Sequence, residues 1–186
     1  GKFMVYTEGP EGTMQEFEIA YVFGVRPLQQ YLIPFPDGRY QCLPICWDTR
    51  PEEDGGQRWF HIYGNERIPP DDVLYWTRVT QNWNYMCAEC HSTNLHKNYV
   101  YREKAYHTTW SEIDVSCEAC HGPGNDHSGR VRRGQERPAI PYFHFGSTAT
   151  VEEQNGQCLG CHNSGVGFGW HAGEHPVDEV ACVDCH

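Results

Sequence analysis

The chain has 186 residues, a formal net charge of −11 and a mean hydropathy of −0.67. That length suits one domain or two small ones. The acidity argues against nucleic acid and for positively charged partners or metal cations, and no apolar run approaches the roughly 20 residues needed to span a membrane.

Residues 1–80 alternate apolar stretches with turn signals. Lys2–Thr7, Met14–Phe23, Leu28–Pro34 and Arg39–Trp47 are rich in Val, Ile, Tyr and Phe, which predicts strands, with Arg58–Tyr63 as a further one. Turns fall at Glu8–Gly12 and Pro36–Gly38, so a small antiparallel meander is expected. Cys42 and Cys46 read either as an intrachain disulfide or as free or intermolecular thiols. Residues four apart on a straight strand sit roughly 13 Å apart, too far to bridge, unless Pro44 bends the chain. Residues 48–80 read as loops; their acidic groups lack EF-hand spacing and are best taken as solvated charge.

Residues 81–186 hold the pattern Cys-x-x-Cys-His four times, at Cys87, Cys90 and His91, at Cys117, Cys120 and His121, at Cys158, Cys161 and His162, and at Cys182, Cys185 and His186. This is the attachment pattern of c-type haem. Two thiols reach the two vinyl groups of one porphyrin, and the next residue places an imidazole on the iron. Zinc held by paired Cys-x-x-Cys is the rival reading, but it does not account for a histidine after every second cysteine. Four covalent haem c groups are therefore expected, and their apolar faces would make up for a polypeptide too polar to bury much by itself. Haem is attached to this pattern after export in prokaryotes, so the expected location is periplasmic or extracellular. Nothing at the amino end reads as a signal peptide, and a mature, soluble chain is expected. The motif should need a helical turn. Thr108–Cys120 is the best helix candidate, stopped by Gly122-Pro123-Gly124. The basic stretch with Arg130, Arg132, Arg133 and Arg137 is either a solvated loop or a set of counterions for haem propionates. The fold class expected is mixed with little regular secondary structure: a small antiparallel β-rich part over residues 1–80, then a haem-packed tetrahaem region of short helices and loops over 81–186.

Seven histidines lie outside the motifs: His61, His96, His107, His127, His144, His171 and His175. With only three methionines, this surplus points to bis-histidine haems of low potential. His61, His107, His127 and His175 are the candidate distal ligands. His61 lies among apolar neighbours in the β-rich part; His107 and His175 precede motifs; His127 is too close to His121 to return over its own haem.

Four stretches together, Tyr21–Leu32, Gly56–His61, Gln81–Asn94 and Trp110–Gly124, resemble the exported multihaem cytochromes c that often carry tetratricopeptide repeats and are related to the tetrahaem carriers of ammonia oxidisers. The resemblance covers residues 15–128 and implies electron transfer, with His61 and His127 on matching histidines. Cys42 and Cys46 are not recognised as a family feature, residues 140–180 are only loosely similar, and no repeat domain follows His186.

The reading that results is an electron conduit rather than an enzyme. Motifs begin 30, 41 and 24 residues apart, so successive haems must lie close together. The rival is a haem enzyme reducing a small nitrogen or sulfur species at one iron with an open axial position. Redox proteins or extracellular electron acceptors are the expected partners. His186 is the last residue of the sequence, which leads to a second expectation: other copies of the chain cover the fourth haem head to tail, forming a filament like the extracellular cytochrome nanowires.

Overall fold

The computed structural model describes residues 1–135, 149–162, 173 and 178–185. The chain divides into two compact units, Gly1–Asp114 and Val115–His186.

In the first unit, β1 (Met4–Glu8) and β2 (Met14–Glu18) form an antiparallel hairpin. Gly9 N–H donates to the Thr13 carbonyl at 2.7 Å, and Gly12 turns the chain at φ 74°, a conformation glycine adopts without steric cost. A five-stranded sheet follows, built from β3 (Tyr21–Phe23), β4 (Leu28–Pro34), β5 (Tyr40–Cys42), β6 (Ile45–Asp48) and β7 (Arg58–His61). β4 is central: β3 pairs along one edge, while β5 and then β6 share the other, and β7 pairs with β6.

The strand expected over Arg39–Trp47 is thus two strands. Pro44 has no N–H to give to a ladder, and the pairing slips there. Leu32 faces Cys42 but Leu28 faces Asp48, so the β5–β6 side accommodates two extra residues. The stretch Met14–Phe23 is likewise interrupted, after Glu18.

Adjacent strand residues point to opposite faces, and β4 uses this to serve two cores. Leu32 packs with Phe23, Cys42, Trp83 and Ala88, whereas Ile33 packs with Leu43, Tyr75 and Trp76. The segment after Trp76 is tied to β5 by polar groups. Gln41 Nε2 donates to the carbonyls of Trp76 and Arg78 at 2.8 and 2.9 Å, and Gln41 bridges to Asn82 in antiparallel fashion. The first Cys-x-x-Cys-His motif therefore lies inside the β-rich unit. The unit is completed by α1 (Trp83–Met86) and the two-residue strands β8 (Tyr99–Val100) and β9 (Ala105–Tyr106).

The helix expected over Thr108–Cys120 is confined to α2 (Cys117–His121). Upstream, Thr109 and Ser111 give their N–H groups to His96 and Thr93 carbonyls at 2.9 Å each, so this stretch is paired and extended. Gly122 ends α2 at φ 69°, its N–H on the Glu118 carbonyl at 3.0 Å. The second unit also contains α3 (Asn125–Arg132), α4 (Val151–Leu159) and a 3-10 turn at Cys182–Asp184. A capping box starts α4: Glu153 N–H donates to Thr150 Oγ1 at 3.2 Å, and Thr150 N–H to Glu153 Oε2 at 2.8 Å. Arg130 of the basic stretch pairs with Asp126 one turn earlier, at 2.8 Å; Arg137 lies outside the described residues.

Candidate haem-attachment sites

A spacing of three and four residues is the repeat of a helical turn, which brings such positions to one face. The described residues of all four motifs use it. In the first, Cys90 and His91 give their N–H groups to the Cys87 carbonyl at 3.1 and 3.0 Å. The second coincides with α2. In the third, at the end of α4, Cys161 and His162 bond the Cys158 carbonyl at 3.2 and 2.9 Å. In the fourth, Cys185 bonds the Cys182 carbonyl at 3.4 Å, while His186 lies outside the described residues.

His91, His121 and His162 are exposed, and all eight motif thiols are half-buried or exposed. Two thiols and an imidazole on one turn, open to approach by a large planar group, fit haem c by the chemistry of the donor set.

The first motif has the most elaborate support. Asn82 caps α1 by accepting the Tyr85 N–H on its side chain. Asn84, fully buried, accepts the Tyr40 N–H at 2.7 Å and donates to the Gly38 carbonyl at 3.2 Å and to Thr108 Oγ1 at 2.8 Å. Between them Trp83, 0% exposed, meets Trp110 edge-on at 5.2 Å and Tyr40 at 6.1 Å, and Tyr21 closes the aromatic group against both Tyr40 and Trp110. Within the motif Ala88 is fully buried, and its carbonyl accepts from Ser92 Oγ at 2.6 Å. The ring of Phe23 stands edge-on to that of His91, centroids 5.5 Å apart, and so limits its orientation.

The disulfide considered between Cys42 and Cys46 is not formed; both are free, buried thiols. The register slip at Pro44 sends them to different neighbours. Cys42 enters the Trp83 core, where its thiol hydrogen-bonds that of Cys87. This bond, with burial, raises Cys42 far above the usual thiol range and lowers Cys87. Cys46 sits opposite Phe60; burial pushes it up to about 11, against a hydrogen bond from Gln30 that lowers it.

In the second unit the third and fourth motifs are held together. Asn155, 5% exposed and one turn before Cys158, accepts the Cys182 N–H on Oδ1 at 2.7 Å and donates from Nδ2 to the Val180 carbonyl at 3.4 Å. The thiols of Cys158 and Cys182 meet; burial, followed by the neighbouring Cys182, raises Cys158. Asn155, Asn82 and Asn84 were not candidates from sequence, because their partners lie far along the chain.

The distal candidates stand as follows. His61 closes β7, half-buried, with Nδ1 accepting the Tyr63 N–H at 3.2 Å. This leaves the ring hydrogen on Nε2, so ligation through Nε2 requires the ring to turn or the hydrogen to move to Nδ1. His107 is exposed, its Nε2 on Glu103 at 3.0 Å. His127 is half-buried on α3, and His96 is exposed on a bridge to Thr109. His144, His171 and His175 lie outside the described residues.

The donor sets are those of c-type haem attachment, repeated several times along the chain. Comparison with known proteins agrees. Residues 73–122, which hold the first two motifs, match the family model described as cytochrome c554 and c-prime. The chain is also similar to the multiheme cytochrome MtrA of Shewanella baltica (strain OS185), 38% identical over 72 residues. That stretch is 39% of this chain and 20% of the relative, so the chain spans about a fifth of the relative's length. No solved structure matches. Both similarities are to c-type cytochromes and support a multihaem c-type cytochrome family. Among the described residues no helix is long and apolar enough to cross a membrane.

Proposed function

We propose that the chain is an exported tetrahaem cytochrome that passes electrons between neighbouring haems. The observation that carries this reading is the helical turn repeated over the described residues of the four motifs, with the third and fourth drawn together through Asn155, Cys158 and Cys182. Cys87 and Cys90, Cys117 and Cys120, Cys158 and Cys161, and Cys182 and Cys185 provide the thioether bonds; His91, His121, His162 and His186 provide the proximal ligands. The bound haem supplies a one-electron iron couple. The chain's own part is to orient the imidazoles, as Phe23 does for His91, and to set adjacent motifs close in space. His61, His107, His127 and His175 are the proposed distal ligands. Mass spectrometry of the denatured holoprotein tests the count: four haem additions are expected, and fewer refute it.

The finer part of the reading is self-assembly into an extracellular filament. The large apolar side chains left at the surface of the first unit, among them Phe3 at 78% and Tyr101 at 82% exposure, support a surface that other copies cover. Electron microscopy of the purified holoprotein should show helical fibres, and uniformly dispersed monomers at all concentrations would refute the filament.

A further inference from the structure

Cys42 is a cysteine outside the motifs, yet its thiol lies on a motif thiol. Three features independent of that contact bring the two together. Gln41 bridges to Asn82, Asn84 accepts the Tyr40 N–H at 2.7 Å, and Cys42 shares one core cluster with Trp83 and Ala88, against which Cys87 packs. β5 is thus fastened along the segment that leads into the first motif, with Cys42 at its end. Cys87 packs against the cluster that holds Cys42, and the Cys87 thiol is the first neighbour acting on the Cys42 thiol, so a disulfide of about 2.05 Å joins groups that already share one core. Cys42 is 1% exposed, whereas Cys87 is half-buried.

We propose that Cys42 and Cys87 form a disulfide in the haem-free chain, a reversible lock on the first motif that must be reduced before haem can be attached there. The oxidant is a disulfide-bearing oxidoreductase of the export compartment. Cys87 attacks its disulfide, forming a mixed disulfide and releasing one oxidant thiol; Cys42 then attacks Cys87 Sγ and releases the second. Two S–H bonds of the chain become one S–S bond, and the two hydrogens and two electrons end on the oxidant as a dithiol. A dithiol reductant reverses the sequence and returns Cys87 for thioether formation. The lock selects the first motif, since it is the motif beside Cys42. Its role in assembly rests on Cys87 being a haem thiol; the disulfide itself does not.

The test is peptide mapping of the full chain, exported in a bacterial host without haem-attachment enzymes, acid-quenched, alkylated under denaturing conditions and digested with trypsin unreduced. Residues 40–58 and 79–97 fall in separate tryptic peptides. They should appear joined, about 2 Da below the summed masses of the two thiol peptides. The joined species should persist in Cys46→Ala and in Cys90→Ala and vanish in Cys42→Ala. A Cys87–Cys90 or Cys42–Cys46 bond, or fully alkylated Cys42, overturns the proposal. With the attachment enzymes restored and the dithiol reductant omitted, Cys42→Ala should raise the share of chains carrying haem on Cys87 and leave the other three motifs unchanged; an unchanged share also overturns it. Failure of haem loading at every motif would refute the cytochrome reading, while leaving the crosslink readable.

Discussion

Replacing Asn155 by leucine removes the clamp between the third and fourth motifs while keeping side-chain volume nearly constant. Asn155 is 5% exposed, and its shorter bond, at 2.7 Å, satisfies the Cys182 N–H. The longer one, at 3.4 Å to the Val180 carbonyl, adds less. Leaving a buried donor without an acceptor costs about 1–3 kcal/mol. Each 1.4 kcal/mol is a factor of ten, so exchange of the Cys182 amide should quicken roughly 10- to 100-fold. Hydrogen–deuterium exchange with mass spectrometry on the holoprotein, resolved over residues 178–185, measures it. The first unit supplies the internal control, because its amides should not change. An exchange rate at Cys182 within about twofold of the parent would show that the covalent haems, and not Asn155, hold the motifs together.

Trp83→Ala opens a cavity at the centre of the aromatic group beside the first motif and should lower stability by about 3–5 kcal/mol, read by chemical denaturation of the holoprotein; a loss below about 1 kcal/mol would refute its role as the core of that site. His61→Ala should retain all attached haem yet produce one high-spin ferric signal in electron paramagnetic resonance, and an unchanged low-spin spectrum would refute ligation by His61. Arg50 beside Asp48, at 2.6 Å, lowers that carboxyl to about 2. A depressed carboxyl stabilises the fold above its ordinary range near 4 and loses that contribution as pH falls through about 2. The stability difference between the parent and Asp48→Asn should therefore shrink between pH 4 and pH 2, and a difference independent of pH would refute the pairing.

What could be read from the sequence was what rests on local spacing. Cys-x-x-Cys-His sets its cysteines three apart and its histidine four from the first because a helical turn has that repeat, and the described residues of each motif fold as one. The strands of residues 1–80 were legible for a similar reason, since alternating apolar residues between Gly-containing turns specify pairing with near neighbours. Thr108–Cys120 misled because its composition does not reveal that Thr93 and His96, more than a dozen residues earlier, take its N–H groups. Cys42 misled through sequence nearness: Cys46 is four residues away, but Pro44 shifts the register between them, and the thiol in contact with Cys42 is 45 residues on, at Cys87.

The same distinction separates the two ways in which the motifs are held. The third and fourth begin 24 residues apart, and one buried asparagine suffices to bring their first cysteines together, because little chain has to be closed into a loop. The first motif is held by long-range contacts instead. Gln41, Asn84 and Trp83 fasten it to strands 40 residues earlier, so its position depends on the β-rich unit having folded. If that unit folds before haem is attached, Cys87 meets Cys42 before it meets a porphyrin. The order of those two events decides whether the first motif is available to haem without reduction.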